Sequence, residues 1–251
     1  MKLLRSLLFV IWLYGTMVIM GVLFAPWVAF SQRGAYVAMR AWTHVMLFGL
    51  RWICGARVRF EGLENVPKGA GLIALKHQGM LDTIAPLLFL KEPAFVYKQE
   101  LGKLPVWGWY IKRAGMFPLD RGGYSAALKA MVRAGREAVA QGRQFMIFPE
   151  GTRKEIGAPA DYKSGVAALY KDLGIPCTPV ALNTGLIWPA HGIIRNPGTA
   201  TFRVLPPIPP GLSRDDFMRE LETRIETTSQ DLLPPNLRRA AAPAEQDLKA
   251  S

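Results

Sequence analysis

The sequence predicts an α/β domain, a mixed sheet flanked by helices, preceded by an N-terminal two-helix membrane segment. Three observations carry this reading. From Ser6 to Phe30 there is no charged residue. After Cys54, short apolar runs alternate with longer stretches of helical periodicity, the mark of a layered α/β fold. The 251 residues are enough for one such domain with a full hydrophobic core.

The first apolar run, SLLFVIWLYGTMVIMGVLFAPWVAF, is long enough to cross a bilayer core. It exceeds a signal-peptide h-region and shows no small-x-small cleavage site. Trp12, Tyr14 and Trp27 are candidates for the lipid interface. A second apolar stretch, Ala35 to Cys54, is interrupted by Arg40 and Arg51. Val37, Trp42, Met46, Leu47 and Leu50 share a face, which leaves the two arginines to snorkel. The pattern is a helical pair bent at Ser31–Gly34, and it fits either a bilayer crossing or insertion into one leaflet. A core hairpin of a soluble protein is the lesser case, given the length of the uncharged run.

Strands are expected at Val58–Phe60, Leu72–Leu75, Phe95–Tyr97, Met116–Leu119, Phe145–Phe148, Thr178–Ala181 and Thr201–Leu205. Helices are expected to begin near Asp82, Ser125, Lys163 and Ser213. Leu128, Met131, Val132, Gly135 and Val139 fall on one face of the second. Gly174 suits the end of the third, and Pro176 prevents its continuation. The division that follows is a membrane-associated hairpin over 1–55, an α/β domain over 56–239 and a disordered Ala- and Pro-rich tail over 240–251.

Composition narrows the partners. The net charge is +12 and half the residues are apolar. No Asp or Glu precedes Glu61, whereas Lys2, Arg5, Arg33, Arg40, Arg51, Arg57 and Arg59 do. Apolar helices flanked only by positive charge suit an anionic membrane surface. No helix-turn-helix, RNP or zinc pattern supports a nucleic-acid partner. Cys54 and Cys177 lie far apart without ligand spacing, so neither a zinc site nor a disulfide framework is expected, and both read as small buried apolar residues.

Three segments carry chemistry. In KHQGMLDT, Lys76 to Thr83, a strand runs straight into His77, Gly79 permits a turn, and Asp82 stands where a helix N-cap would. Within one regular helix His77 and Asp82 would point about 140° apart. A turn entering a helix lets the carboxylate reach the imidazole instead. Asp82 then fixes the tautomer, and His77 takes the proton of an attacking hydroxyl. Alone, this spacing also arises by chance, as a surface His beside an ordinary cap. In FPEGTR, Phe148 to Arg153, a strand ends in a polar cluster where α/β ligand sites form. Gly151 allows close approach, Thr152 offers a hydroxyl, and Arg153 a fork for phosphate. Glu150 is a candidate to hold a neighbouring Arg or a substrate hydroxyl. Between these, KQELGKLPVWGWYIKRAGMFPLDR, Lys98 to Arg121, brings Lys98 and Arg121 as phosphate partners. Trp107 and Trp109 suit lipid, an acyl chain or the core.

In this order the segments resemble the 1-acylglycerol-3-phosphate acyltransferase family. The matching elements are His77–Asp82, the Phe-x-x-Arg-like Phe117–Arg121, the complete FPEGTR of Phe148–Arg153, and the proline-containing Ile175–Val180. The resemblance spans about Arg57 to Leu205, and small bacterial members also carry N-terminal apolar helices. It implies a one-step transfer from acyl-CoA or acyl-carrier protein to the sn-2 hydroxyl of lysophosphatidate, giving phosphatidate. His77 would be the base and Asp82 its partner. Glu150, Gly151, Thr152, Arg153 and Arg121 would form the glycerol-phosphate site, with Lys98 helping. Gly79 stands where many relatives have Ser, and Lys76 where many have Asn.

No metal or other cofactor is implied. A thioester has a good leaving group, and no serine or cysteine here has a nucleophile context, so no acyl-enzyme is expected. The expected setting is a membrane, in particular a bacterial inner membrane with the catalytic domain on the cytoplasmic side. The competing readings are acylation of glycerol-3-phosphate or of another lysolipid such as lyso-ornithine lipid and, in a different class, a non-catalytic anchored binder of anionic lipid.

Overall fold

The computed structural model describes residues 1–120 and 122–238. The tail expected over 240–251 lies outside them. Helix α1, Lys2–Phe30, is a 29-residue apolar rod. It stops at Ser31, whose backbone is extended and whose Oγ accepts from the amide of Gly34 at 3.1 Å, capping α2, Gln32–Cys54. Gly55 ends α2 in the left-handed conformation, φ 71°, which a glycine adopts at little cost. The bend therefore sits at Ser31, at the start of the expected window.

The remaining elements alternate. They run β1 (Ala56–Glu61), β2 (Gly71–Leu75), α3 (Leu81–Ile84), β3 (Pro93–Lys98), α4 (Trp107–Arg113), β4 (Phe117–Leu119), α5 (Tyr124–Ala140), β5 (Gln144–Ile147), α6 (Gly165–Leu173), β6 (Cys177–Leu182), β7 (Gly198–Val204) and α7 (Arg214–Asp231). All seven expected strands form, and they build one mixed sheet in the order β1-β7-β6-β2-β5-β3-β4. Only the β6–β7 pairing is antiparallel. The central strands β2 and β5 are buried throughout and apolar but for Gln144, as a parallel sheet covered on both faces requires.

The covering layers are unequal in kind. Ile73, Leu75 and Met146 point into one core, shared with Phe9, Leu13, Tyr36, Met46 and Leu50 of α1 and α2. Leu72, Ala74, Phe145 and Ile147 point into the other, against α5, α6 and α7. The apolar hairpin is thus one of the two layers that close the sheet. Tyr36 joins it to the sheet directly, donating to the carbonyls of Pro93 and Ala114 at 2.9 and 3.0 Å. On the other face, Gly174 ends α6 with φ 61°, and Ser213 caps α7 by accepting from the amide of Asp216.

Several local expectations need correction. Trp42, Met46 and Leu50 are buried on α2, but Val37 is 39% exposed, because the contact stripe runs through Ala35, Tyr36, Ala38 and Met39. Arg40 does not snorkel. It turns inward and binds the carbonyls of Leu87, Leu90 and Lys91, which end the turn after α3. Trp12 is half-buried, and its indole donates to Val45 O on α2 at 3.0 Å. Helix α4 was not anticipated, because Pro105 and Gly108 obscure its periodicity. It forms by docking on α1: Tyr110 donates to Gly21 O at 2.9 Å, and Arg113 to Val28 O and Ala29 O at 3.0 and 2.7 Å. Trp107 packs against the core, and Trp109 remains exposed.

The hairpin closes tightly at Gly49, where an added Cβ would lie 2.2 Å from the Trp12 ring. Gly49→Val is expected to destabilise the protein by about 1–3 kcal/mol through overpacking. A thermal melt in detergent checks this, with a fall of about 2–4 °C per kcal/mol.

Candidate active site

The polar motifs collect at the carboxyl ends of the parallel strands, where open α/β sheets place their sites. His77 follows β2, Phe148 to Arg153 follow β5, Lys98 ends β3, and Asp120 follows β4. The neighbouring strands β2, β5, β3 and β4 therefore deliver these residues side by side.

Beyond β2 the chain turns through Gln78 and Gly79 into α3. Asp82 is fully buried, and its carboxylate faces back into that turn. Oδ2 accepts the amides of Gln78 and Gly79 at 2.5 and 2.7 Å and lies 3.2 Å from Nδ1 of His77. Oδ1 accepts the hydroxyl of Thr184 at 2.5 Å. Asp82 is thus not the N-cap expected from the sequence. That position falls to Met80, and the carboxylate instead closes the loop that carries the histidine. With Nδ1 turned to a carboxylate, the imidazole holds its proton there and keeps Nε2 as the free acceptor. Phe148 stacks on the ring, with centroids 4.0 Å apart and planes 20° apart. The ring is fixed by a carboxylate at one edge and an aromatic on one face.

The FPEGTR segment grips the same residue through its backbone. Glu150 Oε2 accepts the amide of His77 at 2.8 Å, and the His77 carbonyl accepts the amide of Lys154 at 2.8 Å. Glu150 is 1% exposed, and its other oxygen meets Lys76 at 3.2 Å. Both its oxygens are engaged inside the protein, so it is not open to a substrate hydroxyl as expected; it holds the segment that carries His77. Burial pushes the Glu150 carboxyl above the usual range, and Lys76 opposes that rise. Gly151, Thr152 and Arg153 stand outside this clasp and are exposed, Gly151 with φ 66°. Lys98 is likewise exposed, 3.7 Å from Glu100. Arg121 lies outside the described residues.

Thr184 and Trp188 lie outside the motifs read from the sequence, and Gln78 and Phe148 lie inside them with no role assigned there. Gln78 accepts the amide of Gly185 at 3.0 Å, which ties the His77 turn to the turn at Thr184. The carbonyl of Trp188 lies 2.6 Å from where a Cβ on Gly79 would stand, so the serine common in relatives would collide here. Trp188 in turn packs edge-on to Phe9 of α1, with centroids 5.4 Å apart. For Thr184 and Trp188 the sequence signal was Gly79 alone, since both come from more than a hundred positions downstream of the turn. Both cysteines are buried and free, and burial raises the Cys177 thiol far above its ordinary range, which removes it as a nucleophile.

Comparison with known proteins agrees with this geometry. Residues 57–183 match the family model described as Acyltransferase. The 1-acyl-sn-glycerol-3-phosphate acyltransferase of Pseudomonas aeruginosa is 32% identical over 198 residues, which cover 78% of this chain and 77% of that protein. The protein of the same name from Helicobacter pylori is 28% identical over 174 residues, 67% of this chain and 72% of its own. A chloroplastic relative, LPAT1 of Arabidopsis thaliana, is 29% identical over 181 residues, and the match spans half of its length. Among solved structures, the 1-acyl-sn-glycerophosphate (LPA) acyltransferase from Thermotoga maritima superposes with a TM-score of 0.76 at 22% identity. It covers 92% of this chain and 99% of that one, and shows the shared fold.

Thr184→Val keeps the shape of the side chain and removes the hydrogen bond to Asp82 Oδ1. It is expected to cost about 1.5–3 kcal/mol of stability, as for hydrogen bonds to a charged group, and denaturant titration reads the loss.

Proposed function

This chain belongs to the acyltransferase family, and from that premise we propose that it moves a fatty acyl group onto the sn-2 hydroxyl of 1-acyl-glycerol-3-phosphate, giving phosphatidate. The observation that carries the chemistry is the buried Asp82 carboxylate 3.2 Å from Nδ1 of a histidine whose Nε2 is left free.

In this reading the acceptor hydroxyl gives its proton to Nε2 of His77 as its oxygen attacks the thioester carbonyl. Asp82 stabilises the imidazolium that forms. The carbon–sulfur bond breaks, and the proton passes from the imidazolium to the departing thiolate, so ester and free thiol leave a regenerated enzyme. No covalent acyl-enzyme intervenes. Arg153, with Thr152 and the backbone of Gly151, receives the glycerol phosphate. Lys98 adds positive charge from the end of β3, and the family resemblance gives Arg121 the same role. Acyl-CoA and acyl-carrier protein are both acidic donors that suit a chain of net charge +12.

The membrane reading rests on α1. It is long and apolar enough to cross a bilayer, yet only 11% of its most apolar window is buried. Leu4, Ile11, Ile19, Val22 and Leu23 lie exposed along it. Its other face is tied to the globular domain near both ends, through Ser6 to Arg195 at 2.9 Å and through Gly21, Val28 and Ala29 to α4. A crossing helix would drag those polar partners into hydrocarbon. This supports a helix lying in one leaflet with the site beside the headgroups; the setting we propose is the cytoplasmic face of a bacterial inner membrane. An apolar cleft between α1, α2 and α4 is lined by Met17, Met20, Met39, Trp42 and Trp107.

The test is acyl transfer by purified protein to lysophosphatidate, glycerol-3-phosphate and lyso-ornithine lipid, from each donor. Fastest turnover of lysophosphatidate is expected, with a loss of about 10²–10⁴-fold in folded His77→Ala. Preference for a phosphate-free acceptor, or an active His77→Ala, would contradict the reading. The membrane arm predicts that Ile11→Glu with Ile19→Glu abolishes flotation with anionic vesicles and leaves the melting temperature unchanged.

A further inference from the structure

Lys76 and Glu226 have no part in the transfer as described, yet they form a charged cluster directly behind the base. Lys76 Nζ lies 3.2 Å from Glu150 Oε1 and 2.5 Å from Glu226 Oε1. The hydroxyl of Tyr162 donates to the same Glu226 oxygen at 3.0 Å. Lys76 is 5% exposed and Glu150 1%. Glu226 comes from α7, beyond the 57–183 segment that matches the family model, and Lys76 stands where many relatives have Asn.

Lys76 and Glu150 are buried, while Glu226 reaches the surface with 22% of its side chain exposed. Taking the inner pair out of water is costly, and an apolar pair of similar volume often folds as well. What the cluster achieves is directional. Lys76 occupies Oε1 of Glu150, which leaves Oε2 for the amide of His77 at 2.8 Å. Residue 76 is thereby held through its side chain and residue 77 through its amide, by one carboxylate. Glu226 anchors the lysine from the far side, so the ammonium cannot swing away from Glu150.

We propose that Lys76 and Glu226 are positioning residues for the transfer, which hold the Glu150 carboxylate on the His77 amide and so keep the imidazole in line between Asp82 and the acceptor hydroxyl. Helix α7 then belongs to the catalytic wiring. The inference rests on His77 acting as the base.

The groups that face Glu150 are Lys76, His77, Glu226 and Tyr162, with Glu222 behind Tyr162. Burial raises the Glu150 carboxyl; Lys76 and the His77 amide lower it, and Glu226 raises it. The signs for the two neighbours are therefore opposite. Loss of the Lys76 charge lets Glu150 take up its proton at higher pH, and loss of the Glu226 charge delays that to lower pH. A protonated Glu150 grips the amide less firmly, so its protonation adds to the acidic limb that His77 already imposes as the proton acceptor.

The experiment measures kcat, KM and the pH profile of lysophosphatidate acylation with the full chain in detergent, for wild type, His77→Ala, Lys76→Met, Glu226→Gln and Arg219→Gln. Lys76→Met and Glu226→Gln are expected to lower kcat by about 10- to 10²-fold with KM little changed, as misplacement of a catalytic group does. The acidic limb should move up in the first and down in the second. Arg219→Gln, exposed on the same helix, should match wild type. Should Lys76→Met not fold, Glu226→Gln keeps the volume and decides alone. A folded Glu226→Gln with unchanged kcat, or with a lower kcat and an unmoved limb, would overturn the proposal. Activity in His77→Ala would instead remove the base assignment, whatever Glu226→Gln does.

Discussion

Asp82 carries a carboxylate with none of its surface in water, at the point where a buried strand turns into a helix. Such a group is costly to bury unless every lone pair is met, and here two amides, a threonine hydroxyl and an imidazole meet them. Each partner fixes something else. The amides set the turn after β2, the imidazole becomes oriented, and Thr184 brings in the turn that follows β6. With β2 central and β6 and β5 on either side of it, this carboxylate joins the ends of β2 and β6, and Glu150 adds the end of β5 through the His77 amide.

The same constraint reaches the membrane layer. The segment from Thr184 continues through Trp188, which packs on Phe9, to Arg195, whose amide binds Ser6 of α1. On its other edge α1 holds α4, and α2 holds the end of the α3 turn through Arg40. The apolar hairpin therefore performs two tasks with two faces. One face completes the core over Ile73, Leu75 and Met146, and the other presents hydrocarbon outward. In the proposed reading, a hairpin shared between core and bilayer would hold His77 at a fixed height above the lipid.

Much of this was legible in the residues because it depends on local pattern. Apolar runs of strand length and punctuating glycines and prolines give every strand, and Gly174 and Ser213 mark helix ends through their own backbone and side-chain chemistry. His77 and Asp82 lie within one turn, so their meeting is a local matter. What stayed hidden depends on pairing across the chain. Thr184 meets Asp82 over 102 positions, and Glu150 meets Lys76 over 74. No periodicity encodes either. Arg40 reads as a snorkelling cation because the carbonyls it binds belong to a distant turn. Glu150 reads as a ligand because a conspicuous carboxylate next to Gly-Thr-Arg resembles one, until its burial is known. Gly79 is legible only as a permitted turn; the Trp188 carbonyl that demands it comes from elsewhere.

The central claim is that His77 and Asp82 act as one unit on the acceptor hydroxyl. A double-mutant cycle on the rate of acyl transfer to lysophosphatidate tests it most directly, with His77→Ala, Asp82→Asn and the pair compared at saturating substrates in verified folded protein. Residues that work as a unit are strongly non-additive, so the double variant should be no slower than His77→Ala alone. A double variant slowed by the product of the two single effects would mean that Asp82 acts independently of the imidazole, and the relay described here would be wrong.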